Sequence, residues 1–349
     1  MKLTAGGVCA AKGFQASGVH CGIRKNQTKK DLALIFSEVP AKAAAVYTTN
    51  AVKGAPLLVT KQHLENGMAQ AVICNSGNAN TCNANGVEIA EQMCTLVSEQ
   101  LHIDAKDVLV ASTGVIGKVL DIQPIAEGIP PLVKSLGMNS KDAAHAIMTT
   151  DTTIKEIAVE FEVGGVVCRL GGIAKGSGMI HPNMATMLVF LTTDCAISAE
   201  MLKKALSSDV TQTFNMLSID GDTSTNDMVT VMANGLAGNA EISEEGKAFD
   251  TFMKALNTVT VHLCRSIAAD GEGATKLLEC VVTGAADETQ AKIAAKSVIC
   301  SSLLKAAMFG ADANWGRVLC ALGYSKAGID PQSVDVSFCS KAGEIVVCE

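Results

Sequence analysis

The chain is poor in aromatic rings: Phe, Trp and Tyr make up 3% of its 349 residues, with one Trp and two Tyr. So few rings cannot build the stacking platforms that hold single-stranded nucleic acid. A basic stripe is also missing. The formal net charge is −7, and no Lys/Arg run exceeds a few residues, which argues against a phosphate-backbone partner. No apolar run approaches the roughly 18 residues of a membrane-spanning helix. The amino terminus, MKLTAGGVCAAKGFQASG, lacks the long apolar centre of a signal peptide, so no membrane is expected and the cytoplasm is the expected compartment. The thirteen cysteines contain no CxxC pair. An odd, scattered set without a secretion signal argues against a disulfide framework, and Cys74, Cys94, Cys168, Cys195, Cys264, Cys280 and Cys300 read as small buried hydrophobes. The six histidines do not pair with cysteines or with each other at ligand spacing, so no metal site is expected. No GxSxG elbow and no solenoid-length repeat is present.

What is present is apolar and aliphatic. Hydrophobic residues are 48% and charged residues 18%, enough for a large core of Ala, Val, Ile, Leu and Met. Short apolar runs of strand length occur at 32–36, 43–47, 69–74, 108–111, 229–232 and 278–282. Ile157 to Val163 and Val166 to Ala174 flank Gly164-Gly165, a hairpin signal. Spacings of three and four predict helices after Asn75–Gly86, around Met201–Leu206, from Phe249 to Ile267, and from about Ala294 to Phe309, the last stopping at Gly310. Ser140 reads as the N-cap of a helix through Met148. Val334 to Phe338 and Glu344 to Val347 read as strands. The alternation gives an α/β class, or α+β with mixed sheets.

The segment from Lys175 to Thr193 reads KGSGMIHPNMATMLVFLTT. It sets a small residue, Ala185, before a hydroxyl, Thr186, at the mouth of an apolar strand. Threonine is a weak nucleophile without a base. If the bond before Thr186 is cut, its own α-amine is freed, with a reference pKa of about 7.7–8.0 that suits a proton acceptor at neutral pH. Nucleophile and base then share one residue. His181 is near in sequence, but the free amine already supplies that role. Lys175 precedes Gly-Ser rather than following a GxxxxG frame, so a P-loop is excluded. The stretch DGDTSTND (220–227) fails the EF-hand template, because Thr225 holds the glycine position and Val231 the closing-glutamate position; a turn network fits it better.

KGSGMIHPNMATM closely resembles the self-cleavage motif of the ornithine acetyltransferase (glutamate N-acetyltransferase) family of arginine biosynthesis. The resemblance runs the length of the chain in seven ordered blocks: NSGNAN at 75–80, STGVIG at 112–117, MTTDT at 148–152, the Lys175 block, DGDTSTND at 220–227, DGEGATK at 270–276 and GADANWGR at 310–317. It implies the layered N-terminal-nucleophile architecture of ArgJ- and DmpA-like proteins. It implies self-cleavage between Ala185 and Thr186 into an α chain, 1–185, and a β chain, 186–349, that stay together, as an α2β2 heterotetramer. Thr186 is then the nucleophile, and Thr113 and Gly114 the oxyanion hole. Lys175, Glu272 and Thr152 bind substrate together with Thr186; among the threonines of TTDTT the assignment of Thr152 stays open.

The implied reaction moves acetyl from N-acetylornithine to glutamate by ping-pong chemistry, with no cofactor and with acetyl-CoA as an open second donor. The alternative is a related amidase or aminopeptidase in which water accepts the acyl group. Family members also continue several dozen residues past Cys348-Glu349, in a tail ending in a segment resembling NADYRT. The shorter chain is expected to leave apolar surface exposed.

Overall fold

Pro40 sits in the middle of the longest strand and bends it. In this computed structural model, which describes residues 1–181 and 187–348, the two apolar runs at 32–36 and 43–47 join into one strand, β3 (Leu32–Tyr47). Proline cannot donate to a ladder, and the pairing of β3 shifts register between Phe36 and Ala41, around Pro40. Before β3 come β1 (Lys2–Thr4) and β2 (Phe14–Val19). After it come α1 (Ala55–His63), β4 (Met68–Asn75), α2 (Gly86–Leu101), β5 (Val108–Ser112), α3 (Gln123–Lys134), α4 (Ser140–Ile147), β6 (Lys155–Val163) and β7 (Val166–Lys175). The chain continues through β8 (Leu188–Thr193), α5 (Ala199–Gln212), β9 (Met228–Ala233) and α6 (Lys247–Ala269).

Nine strands form one sheet in the order β1-β6-β7-β8-β9-β3-β4-β5, with β2 paired to β3. The first half of β3 pairs with β2 and β4, and its second half with β9. The bend therefore folds the sheet onto itself. Residues of β3, β4 and β5 (Ile35, Val72, Leu109) share a core with Ile173, Leu188, Phe190 and Met232 of β7, β8 and β9. Outside the first layer, Leu32, Ile73 and Val110 pack with Met93 and Val97 of α2 and Ile129 of α3. Outside the second, Val159, Leu170 and Leu191 pack with Leu202 of α5 and with Phe252, Leu256 and Leu263 of α6. Two helical layers thus enclose two sheet layers. Phe252 is fully buried and meets Phe161 edge-on, with ring centroids 6.2 Å apart; burying a side chain of this size contributes about 1.5–3 kcal/mol.

Several sequence expectations hold closely. Gly164 and Gly165 turn the β6–β7 hairpin with φ of 58° and 83°, the positive pair a tight two-residue turn needs. Others need correction. Ser140 lies inside α4, and the N-cap position is Asn139; the Ser140 hydroxyl instead accepts from the Val8 amide and donates to Glu156. The expected helix to Phe309 is two, α7 (Glu288–Cys300) and α8 (Ser302–Phe309), because the Ser301 hydroxyl accepts from the Leu304 amide and starts a new helix. Gly310 is not left-handed (φ −74°); Ala311 is (φ 58°). The run 278–282 forms no strand: no neighbouring strand pairs with it, and Val281 is 77% exposed. Helix α9 (Trp315–Gly323) and the hairpin of β10 (Val336–Ser340) and β11 (Gly343–Cys348) complete the chain, with Ile345, Val346 and Phe309 exposed. All thirteen cysteines are free; of the seven read as core, Cys280 and Cys300 are only half-buried.

Candidate active site

The ends of β4 and β5 lie side by side, because these strands run parallel and pair Asn75 with Ser112. Asn75 organises both turns that follow. Its Oδ1 accepts from the amides of Gly77 and Asn78, its Nδ2 donates to the Ser112 hydroxyl at 2.7 Å, and its carbonyl accepts from the Thr113 amide at 2.9 Å. This explains the NSGNAN block as a backbone scaffold for the STG turn. Gly114 has φ 127°, and a Cβ there would stand 2.6 Å from the Gly77 carbonyl carbon and 2.8 Å from the Asn78 nitrogen. Only glycine fits. Since the Thr113 amide is committed to Asn75, the donors the turn can offer an oxyanion are the Thr113 hydroxyl and the Gly114 amide.

In the other layer, Lys175 ends β7 and pairs with Leu188, the first residue of β8. Its side chain is buried. Burial pushes its pKa down, while Asp151 and Asp227 pull it back up. The loop after Lys175 is held from two sides. Asp151 Oδ1 accepts from the Gly176 amide at 2.7 Å, and the Glu272 amide donates to the Ser177 carbonyl at 2.8 Å. A Cβ on Gly178 would come within 2.4 Å of Glu272 Oε2, so the bare Gly178 is what lets the Glu272 carboxylate lie against this loop.

An ion cluster joins these loops. Lys155 Nζ donates to Asp151 Oδ1 at 2.7 Å and to Asp270 Oδ2 at 2.6 Å, and all three side chains are buried. Asp270 also accepts from the Thr152 amide, at 3.0 Å, and from the Thr152 hydroxyl. Burial would raise both carboxyls. Lys175, Lys155 and the Gly176 amide outweigh it at Asp151, and Lys155 and Thr152 do so at Asp270; both stay below the ordinary carboxylate range. Thr152 is thus tied to Asp270, two residues before Glu272 in the chain, with its hydroxyl already engaged.

The loop 220–227 ties everything together, as the turn-network reading expects. Asp220 accepts from the Met179 and Ile180 amides. Asn226 donates to the Ala79 and Ser112 carbonyls and accepts from the Thr81 and Thr225 hydroxyls. Asp227 Oδ1 accepts from the Met187 amide at 2.8 Å. One loop therefore touches Ser112, just before the Thr113–Gly114 turn, the loop that follows Lys175, and the residue that follows Thr186. Ala185 and Thr186 themselves lie outside the described residues. His181 lies at the loop's edge, its Nδ1 3.3 Å from the Ser218 hydroxyl; burial, then Lys296 and Lys305, lower its pKa. A cavity of about 650 Å³ is lined by Glu272, Met216, Leu278, Lys305 and Met308 among others, but not by Lys175 or Thr113.

Sequence reasoning missed Asp151, Lys155, Asp270, Asn226 and Asp227. The signal was present in the TTDTT, DGDTSTND and DGEGATK blocks, whose acids looked like ordinary turn formers.

The sequence profile of the ArgJ family matches residues 15–349. The chain is 50% identical to the arginine biosynthesis bifunctional protein ArgJ of Caldanaerobacter subterraneus subsp. tengcongensis, over 100% of this chain and 87% of that one. Among solved structures it is similar to the protein of the same description from Bacillus halodurans, at 44% identity and a TM-score of 0.50, over 52% of this chain and 96% of that one. A Burkholderia sp. β-aminopeptidase is 10% identical with a TM-score of 0.50, covering 78% of this chain and 88% of that one; it shares the fold alone. By matched length and by identity, this chain belongs to the ArgJ family.

Proposed function

We propose that this protein is a self-processing acetyltransferase of arginine biosynthesis, acting in the cytoplasm, that carries acetyl from N2-acetylornithine to glutamate through an acetyl-Thr186 intermediate. One observation carries the reading: the loop 220–227 binds the Ser112 carbonyl that leads into the Thr113–Gly114 turn, the Ile180 amide in the loop after Lys175, and the Met187 amide next in sequence to Thr186. In the scheme, Thr186 Oγ attacks the acetyl carbonyl carbon and passes its proton to the α-amine of Thr186. The Thr113 hydroxyl and Gly114 amide hold the oxyanion; one such donor is worth about 3–4 kcal/mol. The amide bond breaks, ornithine leaves with that proton, and the glutamate amine then takes the acetyl group from the ester and restores the hydroxyl. Lys175 pairs with a substrate carboxylate, and Glu272, with Thr152 beside it, receives the amino end. No step uses a cofactor; acetyl-CoA is a second donor to be tested alongside.

Cleavage before Thr186 leaves an α chain of 1–185 and a β chain of 186–349. Strand pairing supports their staying together: β8 and β9 of the second are embedded between β7 and β3 of the first. Two such pairs form the α2β2 assembly. Water as acceptor is the weaker reading, since the aminopeptidase likeness rests on fold alone. Incubation with labelled N2-acetylornithine and glutamate tests the choice. Labelled N-acetylglutamate is expected; labelled acetate with no N-acetylglutamate would overturn the transferase.

A further inference from the structure

Two buried thiols outside the candidate site meet across the seam between β7 and β8. Cys168 and Cys195 are both 0% exposed, and both belong to the core that the second sheet layer forms with α5 and α6. β7 and β8 pair antiparallel, with Leu170 opposite Thr193. The pairing runs one position further. The Asp194 amide donates to the Arg169 carbonyl at 3.3 Å, and the Arg169 amide donates to Asp194 Oδ1 at 2.7 Å. Arg169 and Asp194 thus take a hydrogen-bonded position, and Cys168 and Cys195 fall at the non-hydrogen-bonded position beyond it. Opposed Cα atoms stand about 4.5 Å apart at such a position. A disulfide takes Cα separations of about 4.4–6.8 Å.

The side chains agree with this register. The two thiols are in hydrogen-bond contact with each other. Asn239 braces the pair: its Oδ1 accepts from the Cys168 thiol at 3.5 Å and from the Ala196 amide, next to Cys195, at 2.8 Å. Its Nδ2 donates to the Ala196 and Ala240 carbonyls, which fixes the orientation of the amide. Both cysteines are free. A single buried cysteine packs as a small hydrophobe. Two thiols in contact at cross-strand spacing need little backbone movement to join.

We infer that Cys168 and Cys195 form an oxidative modification site that closes to a cross-strand disulfide when the protein meets a peroxide. In balance, one sulfur attacks the peroxide, the O–O bond breaks, and a sulfenic acid and one water form. The second sulfur attacks the sulfenic sulfur, the S–S bond forms, the S–O bond breaks, and a second water leaves. Two thiols are oxidised and one peroxide is reduced to two waters. A small neutral oxidant suits thiols with no exposed surface. Val167, 52% exposed, and the half-buried Arg169 flank Cys168, so a local opening of this stretch admits it. Thiol exchange reverses the bond.

The bond does not depend on self-cleavage, but its consequence rests on that reading. Cys168 lies in 1–185 and Cys195 in 186–349, so the disulfide joins the two chains covalently. Cys168 is near the start of β7 and Lys175 at its end, about 23 Å away along the strand. The link therefore forms away from the candidate site.

The test exposes purified, fully reduced, full-length protein to hydrogen peroxide until the exposed Cys82 is oxidised. The remaining thiols are blocked in denaturant and the peptides mapped without reductant. A peptide pair linked through Cys168 and Cys195 is expected, and reductant should release it. Recovery of the two cysteines unlinked, blocked or over-oxidised, overturns the inference, as does either one linked to another cysteine instead. On a denaturing gel without reductant the two chains should run as one species and part when reductant is added. Cys168→Ala should run as two under both conditions; a joined species from that variant overturns the inference. Mapping the wild type requires no variant to fold. Self-cleavage fails separately: a single full-length band with reductant refutes it, while the linked peptide still decides the disulfide.

Discussion

Replacing Lys155 with methionine tests whether the buried ion cluster holds the Asp151 and Asp270 loops together. Methionine matches the lysine stem but removes the charge that bridges Asp151 and Asp270 at 2.7 and 2.6 Å. Removing one partner from a buried pair typically costs about 3–5 kcal/mol, because the other charge is left uncompensated. Here two carboxylates lose it. The Gly176 and Thr149 amides and the nearby Lys175 still support Asp151, and Thr152 still donates to Asp270, so the lower half of that range is expected. At roughly 2–4 °C per kcal/mol for large domains, the melting temperature falls by on the order of 10 °C. Thermal unfolding by circular dichroism measures this. The double variant Lys155→Met/Asp270→Asn should lose less than the sum of its singles, since the second change removes the charge stranded by the first; the coupling is expected at about 0.5–3 kcal/mol. A single-variant loss below about 1 kcal/mol, or strict additivity, would refute the claim that this cluster is a coupled structural unit.

The remaining predictions concern the oxyanion turn and acid. Gly114→Ala forces a Cβ against the Gly77 backbone at positive φ, and should lower kcat about 10²–10³-fold; near-normal kcat for N2-acetylornithine would show that the turn does not hold the oxyanion. Thr113→Val removes the hydroxyl and keeps the shape and the amide bond to Asn75; steady-state kinetics should show a fall in kcat larger than any rise in KM, and a pure KM effect would contradict the assignment. The pKa values of Asp151 and Asp270 are depressed in the fold. Their stabilisation is therefore present above the unfolded carboxylate value of 3.8 and is lost as pH falls through the lower folded values. Urea midpoints should drop on acidification below about pH 4, and Asp270→Asn should flatten that drop; an unchanged slope would count against it.

Much of the fold was legible in the sequence where local and tertiary signals agree. The Gly164-Gly165 hairpin, the helix at 249–267 and the strand before STG all appear as read, because turn chemistry and apolar periodicity pointed the same way. The bend of β3 was not legible, since a proline between two apolar runs reads as a break, and only pairing on both sides shows one strand. The run 278–282 looked like a strand by composition, but a strand needs a neighbour. For the site, the blocks carrying Lys175, Thr113-Gly114 and Glu272 stood out, and the structure draws their loops together. The residues that do the drawing did not stand out. Asp151, Asp270 and Asp227 sit in threonine- and glycine-rich turns, where an acid is usually solvated. Their burial depends on Lys155 and Met187, which are distant from them or unremarkable in the chain.

The central claim is an acetyl ester on Thr186. Protein incubated with labelled N2-acetylornithine in the absence of glutamate, quenched in acid and digested, should yield the peptide beginning Thr186-Met187 with the label on Thr186, and adding glutamate before the quench should discharge it. An unlabelled Thr186 peptide in an active preparation, or a label on any other residue, would contradict the account.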